Sequence, residues 1–203
     1  MHPDDLFRPE LHKVLIVMTY DKALEILNEY GEESVWIQHC LAVSNMAEHL
    51  SEALTPKLEI NIEFLRCASL LHDIGRYSSH DPIMHGVEGY NLLSALGYSE
   101  EAFVCASHIL YGLSRNEAAQ FGLPAIDFEP KSIEEKLVPL IDFMVEFDQP
   151  TTLDRRFASL RERNSKNVFF MKKLKEAEKT AKCFMFQLSE KVGESIEEIA
   201  LSF

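Results

Sequence analysis

The dipeptide His72-Asp73 closes an apolar run, CASLL, and is followed at once by Ile74-Gly75. A carboxylate at the end of a buried helix is costly unless something pairs with it. A divalent cation is one such partner. Other polar residues stand in similarly apolar company. His39 lies among Val35, Trp36, Ile37 and Leu41; Asp142 lies inside VPLIDFMVEF; His85 opens HGVEG; His108 stands beside Ala106 and Ile109. Neutral imidazoles and carboxylates suit Fe, Mn, Co, Ni or Zn, and the lack of a thiolate cluster argues against a structural Cys-zinc site. His39, His72, Asp73, His85, His108 and Asp142 are therefore the candidate metal ligands, with Asp73 able to bridge two ions. A water or hydroxide held between two metals is a strong nucleophile near neutral pH, and both ions can clamp a phosphate.

Taken singly, each residue has a plainer reading. A lone His in an apolar helix is more often a hydrogen-bonded core residue than a ligand, and Asp142 could pair with Lys136 or an arginine. The set carries the argument: an HD followed by a Gly turn, one His upstream, two His downstream and one buried Asp later. His85 could instead cap its helix or bind phosphate, and His108 could be a core residue. His80 sits in the polar loop SSHDP, where solvation is the default, and His2, His12 and His49 lack matching context. Cys40 adjoins His39, but helix neighbours point about 100° apart and do not share a site.

The elements that must position these residues read as helices. Apolar spacing predicts a helix over Leu11 to Tyr30, stopped by Gly31. Ser34 is the expected cap of the next, which ends before Pro56. Ile62 to His72 reads as a buried central helix closed by the IGR turn. After the loop RYSSHDP comes a helix over Met84 to Leu96, with Gly97 at its end. Ser99 to Tyr111 reads as another, capped by Ser99, and Ser114 to Phe121 as a short one. GLPAIDFEP is a loop by its Gly and Pro content. Ser132 starts a helix in capping-box fashion, and that helix carries Asp142. From Thr151 the chain is helical and highly charged. The fold expected is all-α: one domain over residues 1–203, with a core at 30–150 and helical additions at 151–203.

The chain has 203 residues and a formal net charge of -13. An acidic surface repels polyanions, which argues against nucleic-acid polymers and anionic membranes as partners. It permits a small phosphorylated substrate, because metal ions and a few local cations can make one cleft positive. The N-terminus, MHPDDLFRPE, shows no signal-peptide pattern, and no apolar run approaches the roughly 20 residues of a membrane span. Cys40, Cys67, Cys105 and Cys183 are far apart and read as free thiols. The expectation is a cytoplasmic protein. The amphipathic C-terminus leaves room for a homodimer.

The order His39, LLHDIGR (Leu70 to Arg76) and Asp142 resembles the His…His-Asp…Asp signature of the HD superfamily of metal-dependent phosphohydrolases, in its HDIG form. HGVEGYNLL, SHILYGLS and the stretch from Asn116 to Phe143 resemble small HDIG-domain proteins of archaea and bacteria. The C-terminal quarter falls outside the resemblance. It implies an HD-domain helical bundle in which His39, His72, Asp73 and Asp142 hold one metal. By similarity to two-metal members such as di-iron dinucleoside tetraphosphatases, His85 and His108 would hold a second. HD-GYP phosphodiesterases share this logic, but this chain has HDIGR where they have HDIGK, and no clear GYP motif.

The implied activity is hydrolysis of a phosphate ester or anhydride, on a nucleotide or similar small molecule, by a metal-held hydroxide. Iron is the first expectation for the metal, with Mn, Co, Ni, Mg or Zn as alternatives. His72, Asp73 and Arg76 are the expected catalytic residues. Arg76 follows the HD turn and is the leading phosphate anchor, since a guanidinium matches phosphate oxygens in bidentate fashion. Arg115, Lys136, Arg155 and Arg156 are weaker candidates, for which a surface charge or salt bridge is the competing reading. A mixed-valent di-iron oxygenase and a non-catalytic signalling module are the alternatives on the same scaffold.

Overall fold

A computed structural model describes residues 17–32 and 34–203. These residues form an all-α fold: ten α-helices with one small hairpin. α1 (Tyr20–Gly31) starts where the Thr19 side chain accepts from Lys22 N. The predicted start at Leu11 lies outside the described residues, as do His2 and His12. α2 (Trp36–Leu54) begins behind Val35, with no side-chain cap. Ser34 supplies only its carbonyl, to Ile37 N, so the cap expected there is absent. α3 (Ile62–Leu71) is capped by Asn61, whose side chain accepts from Phe64 N. A 3-10 turn, Ile74–Tyr77, follows the His-Asp pair.

α4 (Met84–Leu96) matches its predicted bounds and ends at Gly97, which takes the left-handed conformation of a helix C-cap. α5 (Ser99–Ser107) is shorter than predicted, and Ser99 is its first residue rather than its cap. The helix breaks after His108 because Leu110 and Tyr111 adopt left-handed backbone angles, φ 51° and 63°. This reverses the chain ahead of Gly112. α6 (Arg115–Gln120) and α7 (Ile133–Phe143) both start with capping boxes, at Ser114/Glu117 and Ser132/Glu135.

A hairpin not foreseen in the sequence follows, pairing β1 (Val145–Glu146) with β2 (Gln149–Pro150). The C-terminal part is α8 (Leu153–Arg163), α9 (Val168–Val192) and α10 (Ile196–Leu201), each entered through a side-chain cap, at Thr152, Asn167 and Ser195.

One apolar cluster joins Val43, Met46 and Leu50 of α2 to Leu137 and Ile141 of α7, and continues into Phe157, Phe170 and Leu174. α9 buries Leu174, Ala181 and Leu188, a seven-residue spacing that lays one face of the long helix on the bundle. A second cluster packs α1 against Cys40, Leu70, Leu71, Ile74 and Leu93.

Glycines set the close approach of α4 to its neighbours. A Cβ on Gly75 would lie 1.9 Å from the His85 carbonyl oxygen and 2.3 Å from Gly89 N. On Gly86 it would lie 2.5 Å from the Cys105 carbonyl oxygen. The 3-10 turn after Asp73 and the end of α5 therefore meet α4 backbone to backbone, and His85 is carried between Asp73 and His108.

Candidate metal centre

Two helix ends supply the centre with the same local device. His72 follows α3, and its Nδ1–H donates to the Ser69 carbonyl at 2.7 Å. His108 follows α5, and its Nδ1–H donates to the Cys105 carbonyl at 2.8 Å. Each ring thus satisfies a carbonyl near a helix C-terminus and turns Nε2 away from it. His85, in the first turn of α4, donates from Nδ1 to the Asp81 carbonyl at 2.8 Å. Asp81 also accepts from Ile83 N and Met84 N through Oδ1, which fixes the turn. His39, early in α2, donates from Nδ1 to the Phe147 carbonyl at the tip of the distant hairpin, 2.7 Å.

A carbonyl only accepts, so all four imidazoles carry the proton on Nδ1 and, when neutral, a lone pair on Nε2. Those lone pairs converge. His39 Nε2 lies 2.9 Å from Asp142 Oδ1, and His72 Nε2 lies 3.8 Å from both Asp73 Oδ2 and Asp142 Oδ1. His85 Nε2 lies 2.9 Å and His108 Nε2 3.5 Å from Asp73 Oδ1. The His85 and His108 Nε2 atoms are 3.3 Å apart. The six residues group as two sets that share Asp73: His39, His72 and Asp73 lie within ligand reach of one another, as do Asp73, His85 and His108. Asp142 closes on the first set through His39 and His72.

The electrostatics fit a cation at this point. His72 is wholly buried, and its Nε2 has no hydrogen-bond partner. Burial lowers its pKa to about 4, so it is neutral at pH 7. Burial lowers the His85 pKa as well, against the pull of Asp73. Burial pushes the Asp73 carboxyl upward, but Arg76, His85 and His72 outweigh it and hold it well below the usual carboxylate range. Burial pushes the Asp142 carboxyl upward too, but His39, Arg156 and His72 outweigh it. Ionised carboxylates facing imidazole lone pairs repel unless positive charge lies between them. Nδ1–H bonds to carbonyls are also the outer partners that metal-ligating histidines use. The donor set is thus suited to divalent cations.

Two cavities open on the centre. One, about 210 Å³, is lined by Asp73, His85, His108 and Asp142 together with Arg156, Arg163 and Phe170. The second, about 500 Å³, is walled by Val35, Trp36, His39 and Phe147. Asp73, Arg76, His80, Arg156 and Arg163 line both. Arg76 donates from Nε to Asp73 Oδ2, so it supports that carboxylate as well as facing the cavities. His80 is exposed at the shared mouth and belongs to neither ligand set.

The other expected phosphate anchors are not brought here. Arg115 is exposed, and its backbone N–H donates to Asp127. Lys136 lines a separate cavity with Tyr111 and Lys179. Arg155 points away on the exposed side of α8, while its neighbour Arg156 is buried toward the centre; successive helical residues face about 100° apart. His49 bonds the Ile199 carbonyl, away from the site.

Sequence reasoning missed Asp81, Phe147 and Arg163. Phe147 acts through its carbonyl, and no residue type marks that role. Arg163 is seven residues from Arg156, a spacing that repeats on one helix face and signals a shared surface.

Residues 36–143 match the HD domain family, and the chain belongs to it. Every candidate ligand lies within the matched span. An uncharacterized protein of Methanocaldococcus jannaschii is 38% identical over 152 residues, 74% of this chain and 89% of that protein. A tRNA (cytidine(56)-2'-O)-methyltransferase of Thermoplasma volcanium is 29% identical over 188 residues, 92% of this chain and 52% of that protein. The enzyme of the same name from Picrophilus torridus is 28% identical over 130 residues, 64% of this chain and 37% of its own. The chain thus spans about half or less of the two methyltransferases it resembles. No solved structure matches. Family and cluster together support a metal-dependent hydrolase of the HD type in general. No described helix is long and apolar enough to cross a membrane.

Proposed function

We propose that this protein is a metal-dependent phosphohydrolase acting on a small phosphorylated molecule, a nucleotide or similar compound, with two divalent ions sharing Asp73. The observation that carries it is the convergence of four imidazole Nε2 atoms on two ionised carboxylates beside a cavity rimmed by Arg76, Arg156 and Arg163. His39, His72, Asp73 and Asp142 would hold one ion, and Asp73, His85 and His108 the other. Iron is the first candidate, with Mn, Co, Ni, Mg or Zn also compatible with these donors.

Bound metal supplies a water acidic enough to attack at neutral pH and a Lewis-acid grip on phosphoryl oxygens. The chain's own residues do the rest. The Nδ1–H bonds to Ser69, Asp81, Cys105 and Phe147 carbonyls hold every imidazole in the ligating tautomer. Arg76 keeps the shared carboxylate ionised and presents positive charge to the phosphoryl group. The arginine rim offsets an otherwise acidic surface at the one place where an anion must enter.

The two methyltransferases share this segment and extend well beyond it. Methyl transfer is not proposed for this chain, whose imidazole and carboxylate cluster suits hydrolysis. The test is to strip the protein of metal, reload it separately with Fe, Mn, Co or Ni, and assay phosphate release from a panel of nucleotides and other phosphoesters. Turnover that disappears in Asp73→Ala is expected. Metal-loaded protein that releases no phosphate, or that consumes oxygen with iron instead, contradicts the reading.

A further inference from the structure

Two of the three arginines that line both cavities come from outside the family segment. α8 presents Arg156 and Arg163 on one face, and both line the two cavities at their junction. Arg156 is 9% exposed. Its Nε has no hydrogen-bond partner. Its other nitrogens reach Asp142 Oδ1 at 3.5 Å and Glu146 Oε1 at 3.9 Å, both long for a charge-assisted bond. A buried guanidinium left this loosely paired is costly unless an anion completes it.

Arg163 binds Glu146 at 3.0 Å and stands 5.8 Å over the Phe147 ring. Burial and the Arg156 charge both push its pKa down, as expected where like charges crowd. Phe147 is 72% exposed and holds a left-handed backbone, φ 58°, at the hairpin tip. That strain is retained where its carbonyl orients His39 and its ring walls the larger cavity beside Trp36. The competing role for Arg156 is a structural tie from α8 to Asp142 and Glu146. That role leaves the long Asp142 and Glu146 contacts and the position at the cavity junction unexplained.

We propose that Arg156 and Arg163 form the seat for the substrate's phosphoryl group, and that the remainder of the substrate, carrying a planar group, lies in the larger cavity against Phe147 and Trp36. α8 then completes the active site and sets its specificity. The inference rests on the phosphohydrolase reading for its substrate, but its test does not depend on turnover.

Metal-loaded protein is titrated calorimetrically with inorganic phosphate and with adenosine monophosphate, and metal content is measured for every variant. Arg156→Gln weakens phosphate binding at least about tenfold with metal content unchanged, and Arg156→Lys recovers part of it. Arg163→Gln, on the more exposed residue, gives a smaller loss in a protein that folds normally. Phe147→Ala leaves phosphate affinity intact and removes the extra affinity for the monophosphate.

Unchanged phosphate affinity in Arg156→Gln and Arg163→Gln overturns the seat, as does a wild type that binds no phosphate. Loss of metal in Arg156→Gln, with phosphate binding intact in Arg163→Gln, assigns Arg156 to the structural tie and overturns it too. Arginine-dependent phosphate binding without turnover of any phosphoester leaves the seat standing and sinks the hydrolase reading. Turnover with wild-type KM in both arginine variants does the reverse.

Discussion

The ligand cluster and the arginine wall line one cavity, touch where Arg156 meets Asp142, and are built in opposite ways. Three of the four imidazoles in the cluster are oriented locally, and the fourth, His39, by the distant Phe147 carbonyl. His72, His85 and His108 each take their orientation from a carbonyl three or four residues away, and the glycines of HDIG and HGVEG let their backbones touch. The wall is assembled at long range. Arg156 and Arg163 reach the site because α8 packs Leu153 and Phe157 into the same apolar cluster as α7. Most of the donor geometry is thus carried by short motifs, whereas the arginine positions depend on tertiary packing.

The largest effect should come from the shared ligand. Asp73→Ala is expected to remove metal from both sets and to lower turnover by roughly a thousandfold or more, since several kcal/mol of charge stabilisation disappear. Retained turnover in metal-loaded Asp73→Ala would break the contrast at its centre. Gly75→Ala comes next. The added methyl meets the backbone of His85 and Gly89, which cannot step aside as a side chain could. A destabilisation on the order of 3 kcal/mol is expected in urea unfolding, with His85-dependent metal lost first. A near-neutral outcome would mean that the turn and α4 are not pressed together.

Acid acts on the cluster and leaves the arginine wall charged. The unfolded chain protonates His72 near its ordinary value of 6.5, while the folded metal-free protein resists until about 4. Across that window the unfolded state binds more protons, so stability falls as pH falls. Between pH 7 and pH 5 the His72 share is about 2 kcal/mol, with His85 adding in the same direction. An unfolding midpoint of the chelator-treated protein that does not move between these pH values contradicts the burial argument.

Arg156→Lys sharpens the contrast from the other side: KM should rise about threefold, less than in Arg156→Gln, while metal content holds. The smallest effect concerns the thiols. Cys40, Cys67 and Cys105 are buried, and burial pushes the Cys67 thiol up to about 12, whereas Cys183 is exposed. A thiol reagent at neutral pH should label Cys183 first and the other three only on unfolding.

The helices were readable because their caps and periodicity are local. α4, α6 and α7 lie where Gly97, Ser114 and Ser132 put them. The failures share one cause. Ser34 and Ser99 are of capping type, yet their helices start without a side-chain cap at either residue. The break after His108 is set by the left-handed Leu110 and Tyr111, ahead of Gly112, residues whose types do not announce it. The six candidate ligands were legible because polar residues in apolar runs are conspicuous. Arg155 and Arg156 are identical in type, and only the facing of α8 separates the exposed one from the buried one. The Phe147 carbonyl left no trace in the sequence.

Metal stoichiometry, measured by elemental analysis on protein reconstituted with iron or manganese, tests the central claim most directly. The wild type should hold two ions per chain, and His39→Ala and His85→Ala one each, because each variant spoils one set and leaves Asp73 to the other. One ion or none in the wild type, or the same content in all three proteins, would contradict a binuclear centre bridged by Asp73.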